Sequence, residues 1–146
     1  MPVTILIAQC ALMMAIALAP IYTGYRFFFP QDFWDWVGSV LLVVGAFLVI
    51  TARRSIGPTF TIQAGVKPGT ELKTKFPFNV SRNPMYVGVS IVCLAWSLLQ
   101  RSYLAFILSL AMMFVLHVKV MIEERNLERV FGEAYLQYKR SVRRYF

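Results

Sequence analysis

Charge is what this chain has least of. Only 15% of its 146 residues are Asp, Glu, Lys or Arg, where a soluble domain carries roughly 25%. With 58% hydrophobic residues and a mean hydropathy of +0.61, that scarcity excludes an ordinary soluble globule. Cysteine is nearly absent too. Cys10 and Cys93 both fall inside apolar runs, read as small buried hydrophobes, and imply neither a disulfide framework nor a metal site. The single histidine, His117, stands near the end of an apolar run and is read as buried or interfacial, outside any site. Metal-ligand spacings and Gly-rich phosphate loops are missing, so no metal is expected. The first apolar run has no basic stretch before it, and Ala17-Leu18-Ala19 is only a weak cleavage signal. It reads as a retained helix.

Four apolar segments remain, at about residues 3–22, 34–50, 85–99 and 103–118. Phe33, Trp34 and Trp36 form an aromatic belt at the start of the second. The third and fourth are short against the ~20 residues that cross a bilayer. Gln100-Arg101-Ser102 between them favours a hairpin over one long bent helix. The pattern predicts an all-α polytopic membrane bundle of about four transmembrane helices, forming a single unit over residues 1–146. A loop over 51–83 and an amphipathic helix over 123–140 complete it. The loop contains Phe60, Ile62, Phe76 and Phe78, which favours an ordered cap. In the tail Leu127, Val130, Phe131, Ala134 and Tyr138 recur at helical spacing.

The net charge of +8 does not point to nucleic acid, because the basic residues sit beside apolar runs. Six lie between Arg53 and Arg82, and six more between Arg125 and Arg144. The other links hold Arg26 and Arg101. The positive-inside rule therefore puts residues 51–83 and both termini in the cytoplasm. Two polar segments then share one face, Ser81-Arg82-Asn83-Pro84-Met85-Tyr86-Val87-Gly88 and Glu123-Glu124-Arg125-Asn126-Leu127.

Asn83 is a favoured N-cap and Pro84 is preset for the first helical position, so a helix starts there with free N–H groups. Such an end favours a carboxylate or phosphate, and Arg82 adds a clamp for one. Arg82 as a topology anchor and Asn83 as a mere cap is an equally simple reading. Tyr86 points to the same rim, and Gly88 permits close approach of another helix or a flat ligand. Glu123 and Glu124 close a helix at the end where negative charge opposes the dipole, which is not where stability places acids. Adjacent acids face different ways. One can pair with Arg82, Arg125 or Arg129 while the other meets a ligand amine or sulfonium. Lys119, four residues before Glu123, shares its face.

Taken together, Arg82 to Gly88 resembles the Arg-His/Asn-Pro-x-Tyr-x-Gly signature of the isoprenylcysteine carboxyl methyltransferases and the related phospholipid N-methyltransferases. Glu123-Glu124, Leu127, Phe131-Gly132, Tyr135 and Tyr138 resemble their C-terminal signature, and Arg54-Ser55-Ile56-Gly57 with Phe60 resembles the stretch after their preceding helix. The similarity covers roughly residues 50–145. It implies a small prokaryotic integral membrane enzyme of a bacterial inner membrane that uses S-adenosylmethionine. Carried over, the cofactor contacts are Gln63, Thr70, Glu71, Leu72, Lys73, Phe78, Asn83, Pro84, Met85, Tyr86, Glu123 and Glu124. Arg82, Tyr86 and Glu123 carry the chemistry, and Lys119 takes the place of a substrate-side arginine. The chain departs from the pattern at Phe76, usually glycine, at Thr70, usually histidine, and at Asn83.

The implied reaction is methyl transfer to a lipid-like or prenylated acceptor at the cytoplasmic face, in contact with membrane lipids and without nucleic acid. Lys119 suits an acidic acceptor, such as a carboxylate, better than a cationic one. Methylation of a phospholipid amine or small thiol is the enzyme alternative. A non-catalytic membrane protein that keeps the fold is the rival class, favoured by Phe76 and Thr70.

Overall fold

The structure is a computed structural model and describes residues 3–23, 32–56 and 72–145. Five helices account for the described chain: α1 (Val3–Thr23), α2 (Phe33–Ile56), α3 (Pro84–Leu99), α4 (Tyr103–Phe131) and α5 (Glu133–Ser141). No strand occurs among the described residues. Helices α1, α2 and α4 are long and apolar enough to cross a bilayer, and α3 is shorter. Their outward faces carry Ile7, Met14, Val43, Phe47, Ile107 and Phe114, all exposed. Such faces are solvated by lipid rather than water, and helices suit lipid because they satisfy their own backbone groups. The chain is a membrane protein.

The helix ends follow local chemistry. Asp32 caps α2 by accepting the Asp35 amide at 3.0 Å. Helix α2 continues through Arg53 and Arg54 to Ile56, past the end expected near residue 50. Cations in a last turn complement the dipole and do not stop a helix. A hairpin does join α3 and α4. Ser102 caps α4 by accepting the Ala105 amide at 3.2 Å, and Arg101 adopts φ +48° in the turn. Arg101 also pairs with Asp32, and with Asp35 at 3.5 Å, which ties this turn to the start of α2.

Two expectations about the last third are corrected. The fourth helix does not end near 118, nor does a separate helix start at 123. Helix α4 runs unbroken to Phe131, because nothing between Val118 and Glu123 breaks a helix. The interruption comes at Gly132, whose φ is +53°. An alanine Cβ there would meet no atom within 4 Å, so any cost is conformational. Gly132→Ala is expected to destabilise by about 1–3 kcal/mol through backbone strain alone. Thermal unfolding checks this, and a wild-type melting temperature would contradict it.

Helix α2 lies along α3, α1 along α4, and α3 against α4, with α5 folded onto the end of α4. Gly45 and Gly88 form the α2–α3 crossing. A Cβ on Gly88 would lie 2.8 Å from the Gly45 carbonyl oxygen. Gly88 thus admits another helix and not a ligand. Ser109 Oγ donates to the Cys93 carbonyl at 3.1 Å, linking α4 to α3. Cys93 is buried there, whereas Cys10 is exposed on α1, contrary to its reading as a buried hydrophobe. Ile16, Met112, Leu116 and Val120 fill the centre around it.

Candidate active site

Helix length locates the site. Twenty residues separate Tyr103 from Glu123 in α4, which at 1.5 Å per residue is roughly 30 Å, the thickness of a hydrocarbon core. Glu123 and Glu124 therefore reach the far boundary when Tyr103 sits at the near one. Helix α3 covers only roughly 24 Å over its 16 residues. Its N-terminus is recessed by comparison. A cleft opens at this end, between the start of α3, the end of α4 and α5.

The two acids part company there. Glu124 is 3% exposed and faces away from the cleft, into the protein. Its Oε1 accepts from Asn83 Nδ2 at 3.0 Å and pairs with Arg82 Nη2 at 3.4 Å. Its Oε2 accepts from Arg144 Nε at 3.1 Å and Nη2 at 3.0 Å. Asn83 is thus committed sideways. It stands at the N-cap position of α3 but makes no side-chain cap bond, which corrects the capping role read from the sequence. The returning tail is part of the same knot. The Arg82 amide donates to the Arg143 carbonyl at 3.0 Å, and Ser81 Oγ and Asn83 Nδ2 donate to the Arg144 carbonyl at 3.2 Å.

Glu123 faces the cleft. Tyr86 Oη donates to it, 2.8 Å from each carboxylate oxygen. Across the cleft Arg82 shows a different state. Its side chain is 6% exposed, yet Nε and Nη1 have no partner among the described residues. Glu124 stands between two guanidinium groups, and Glu128, the other acid in electrostatic reach of Arg82, is paired with Lys139, so positive charge is in excess here. Buried charge without a partner is costly, so two buried, unspent donors on a residue that lines the cleft mark a candidate anion receptor. Apart from Lys73, the remaining walls are mainly apolar and aromatic, with Leu72, Phe78, Met85, Leu127, Phe131 and Tyr138. Burial pushes the Tyr138 phenol up to about 12. It keeps its proton and donates to the Phe78 carbonyl at 2.6 Å, fixing Phe78 at the rim.

Among the residues expected at the site, Leu72, Lys73, Phe78, Arg82, Asn83, Pro84, Met85, Tyr86 and Glu123 line the cleft together. Glu124 does not. Neither does Lys119, which is buried, donates to Gln9 Oε1 on α1 at 3.1 Å and lies 5.1 Å from the centroid of the Tyr86 ring. Gln63, Thr70 and Glu71 lie outside the described residues. Phe76 is exposed and away from the cleft, so it does not obstruct it. Arg144 escaped sequence reasoning because a basic tail reads as a topology signal. Leu127, Phe131 and Tyr138 belong to an apolar stripe legible in the sequence; the first two reach the cleft from the end of α4 and Tyr138 from the folded-back α5.

A second, apolar groove runs between α3 and α4. Val87, Ile91, Leu94, Met113 and Phe114 line it, and Tyr86 is common to groove and cleft. His117 is on this groove, with Nδ1 2.7 Å from Tyr145 Oη. Among the described residues no three His, Cys, Asp or Glu side chains converge as metal ligands would.

Residues 33–134 match a family model described as phospholipid methyltransferase. The match covers α2, α3, α4 and the first residues of α5, and so includes Arg82, Tyr86 and Glu123. No curated protein matches the chain.

Proposed function

The chain belongs to the phospholipid methyltransferase family, and on that premise we propose that it transfers a methyl group from S-adenosylmethionine to a membrane lipid at this cleft. One observation carries the reading. An unbalanced guanidinium with two free donors, Arg82, and a carboxylate, Glu123, share one apolar cleft. That pair complements a zwitterionic amino-acid end, and Phe78, Phe131 and Tyr138 offer surfaces for a flat base.

When bound, S-adenosylmethionine supplies a methyl group activated by a sulfonium. The protein's task is then alignment and exclusion of water more than acid–base work. Arg82 and the N-terminus of α3 hold the carboxylate. Glu123, oriented by Tyr86, holds the cationic end. Pro84, Met85, Leu72 and Lys73 line the mouth. The acceptor's alkyl chains lie in the α3–α4 groove and its head group reaches the cleft past Tyr86, the residue both spaces share. The cleft would hold an amine acceptor, once its ammonium proton has passed to water at the open side, with its lone pair in line with the activated methyl, and the sulfur would leave as a neutral thioether.

Lys119 was the reason to expect a carboxylate acceptor. Its ammonium is spent on Gln9 and the Tyr86 ring and is absent from the cleft wall. An amine-bearing phospholipid is therefore favoured over a prenylated carboxylate. The excess of Lys and Arg at this end supports the cytoplasmic side as the site of reaction.

Calorimetry on detergent-purified protein tests the donor site. Saturable binding of S-adenosylmethionine is expected, weakened at least about tenfold in Glu123→Gln, as befits a lost charged hydrogen bond. Equal affinity in the two proteins would remove Glu123 from the site. Transfer of labelled methyl to phosphatidylethanolamine vesicles, and not to a prenylcysteine, is expected of the acceptor site, and the opposite preference would reinstate the carboxylate.

A further inference from the structure

We propose that Arg144 is a positioning residue that keeps Arg82 available to the ligand. The inference rests on the methyl-donor reading above and adds a residue outside the matched stretch 33–134.

Three groups compete at Glu124. Arginine binds a carboxylate best as a fork, two parallel N–H donors on two oxygens. Arg82 is denied that geometry. Arg144 places both Nε and Nη2 on Oε2, at 3.1 and 3.0 Å. Asn83 takes Oε1 at 3.0 Å. What remains to Arg82 is one long contact of 3.4 Å through Nη2, which leaves Nε and Nη1 unspent. The tail thus does more than cover the site. By satisfying half of Glu124 it stops a neighbouring acid from neutralising the anion receptor.

Removing the Arg144 guanidinium should reverse this. Oε2 would be a buried carboxylate oxygen with no cation, and Arg82 is the nearest one. Its fork would rotate onto Glu124 and its two unspent donors would be taken up there. The fold has reason to survive the change, because the tail is docked by backbone carbonyls. Arg143 O accepts from the Arg82 amide at 3.0 Å, and Arg144 O accepts from Ser81 and Asn83 at 3.2 Å. Side-chain variants keep these bonds.

The test compares two ligands that differ by one group, S-adenosylmethionine and its decarboxylated analogue. Each is titrated by calorimetry into the full-length wild-type protein, Arg144→Gln and Arg144→Lys, with melting temperatures taken alongside. Wild type should prefer the carboxylated ligand by about tenfold or more. Arg144→Gln should lose most of that preference while still binding the analogue as wild type does. Arg144→Lys, which can still occupy Oε2 with one donor, should recover much of it. Equal weakening toward both ligands would mean a merely structural arginine, and an unchanged preference would mean that Arg144 does nothing for Arg82. Either overturns the inference and leaves the donor site standing. A folded wild type that binds neither ligand overturns the donor reading itself, and this inference with it.

Discussion

Replacing Glu124 by alanine is expected to destabilise the cleft end of the bundle by about 3–5 kcal/mol. The magnitude follows from what is left behind. Glu124 joins Asn83 at the start of α3, Arg82 before it and Arg144 in the tail. Its loss leaves two guanidinium groups without a counter-charge, and Arg82, 6% exposed, cannot turn to water for relief. Removing one partner of a buried pair costs far more than the pair contributed, because the other charge stays buried. The adjacent acid makes the control. Glu123 stands on the cleft wall, and its removal strands Tyr86 Oη and takes an electrostatic partner from the buried Lys119, which keeps its bond to Gln9. Glu123→Ala should therefore lose the donor ligand at a modest cost in melting temperature, while Glu124→Ala should melt much lower. Thermal unfolding followed by tryptophan fluorescence, in one detergent, compares them. Equal melting temperatures for the two variants would contradict the division of labour between these neighbours.

Gly88→Val is the second large effect expected. A Cβ at residue 88 would lie 2.8 Å from the Gly45 carbonyl oxygen, 2.8 Å from Val49 Cγ2 and 3.0 Å from the Val49 amide nitrogen. Two of these are helix backbone and cannot give way locally. Helix α2 would have to move from α3 as a body, at a cost of about 1–3 kcal/mol or more. The displacement also has a functional reading. Tyr86 lies two residues before Gly88, and its hydroxyl is the partner of Glu123 across the α3–α4 boundary. A tilted α3 would draw Tyr86 off Glu123, so ligand affinity should fall along with stability. Gly45→Ala, with its Cβ 2.9 Å from the Gly88 carbonyl oxygen, should be a milder copy on both counts. A Gly88→Val protein that melts and binds as wild type does would show that the helices do not cross here.

The membrane class, the helical fold and the gathering of the candidate residues at one end of the bundle were open to reading from the chain because they rest on local properties. Scarce charge and long apolar runs dictate helices in lipid. Polar residues that interrupt such runs without capping or dipole benefit, as Glu123 and Glu124 do well inside α4 rather than at its end, mark a candidate site. The Gln100–Ser102 link declared its turn through residues that cap and bend. Helix ends were less legible. Arg53–Arg54 and the stretch after Val118 look like stops by polarity, but charge does not break a helix and Gly132 does.

Partner choice was settled only by folding. Composition and order set which residues reach one end of the bundle: arginine, two acids, asparagine and tyrosine. They could not say which acid faces the cleft, since adjacent helical positions differ by about 100° and the answer depends on where α3 lies. The tertiary structure sent Glu124 inward to Asn83, Arg82 and Arg144, left Glu123 to Tyr86 and the cleft, and withdrew Lys119 to Gln9 on α1. It also recruited Arg144, whose place in the sequence resembles any basic tail. Local preferences act over one turn of helix, whereas pairing energies belong to side chains that only packing brings within 3 to 4 Å.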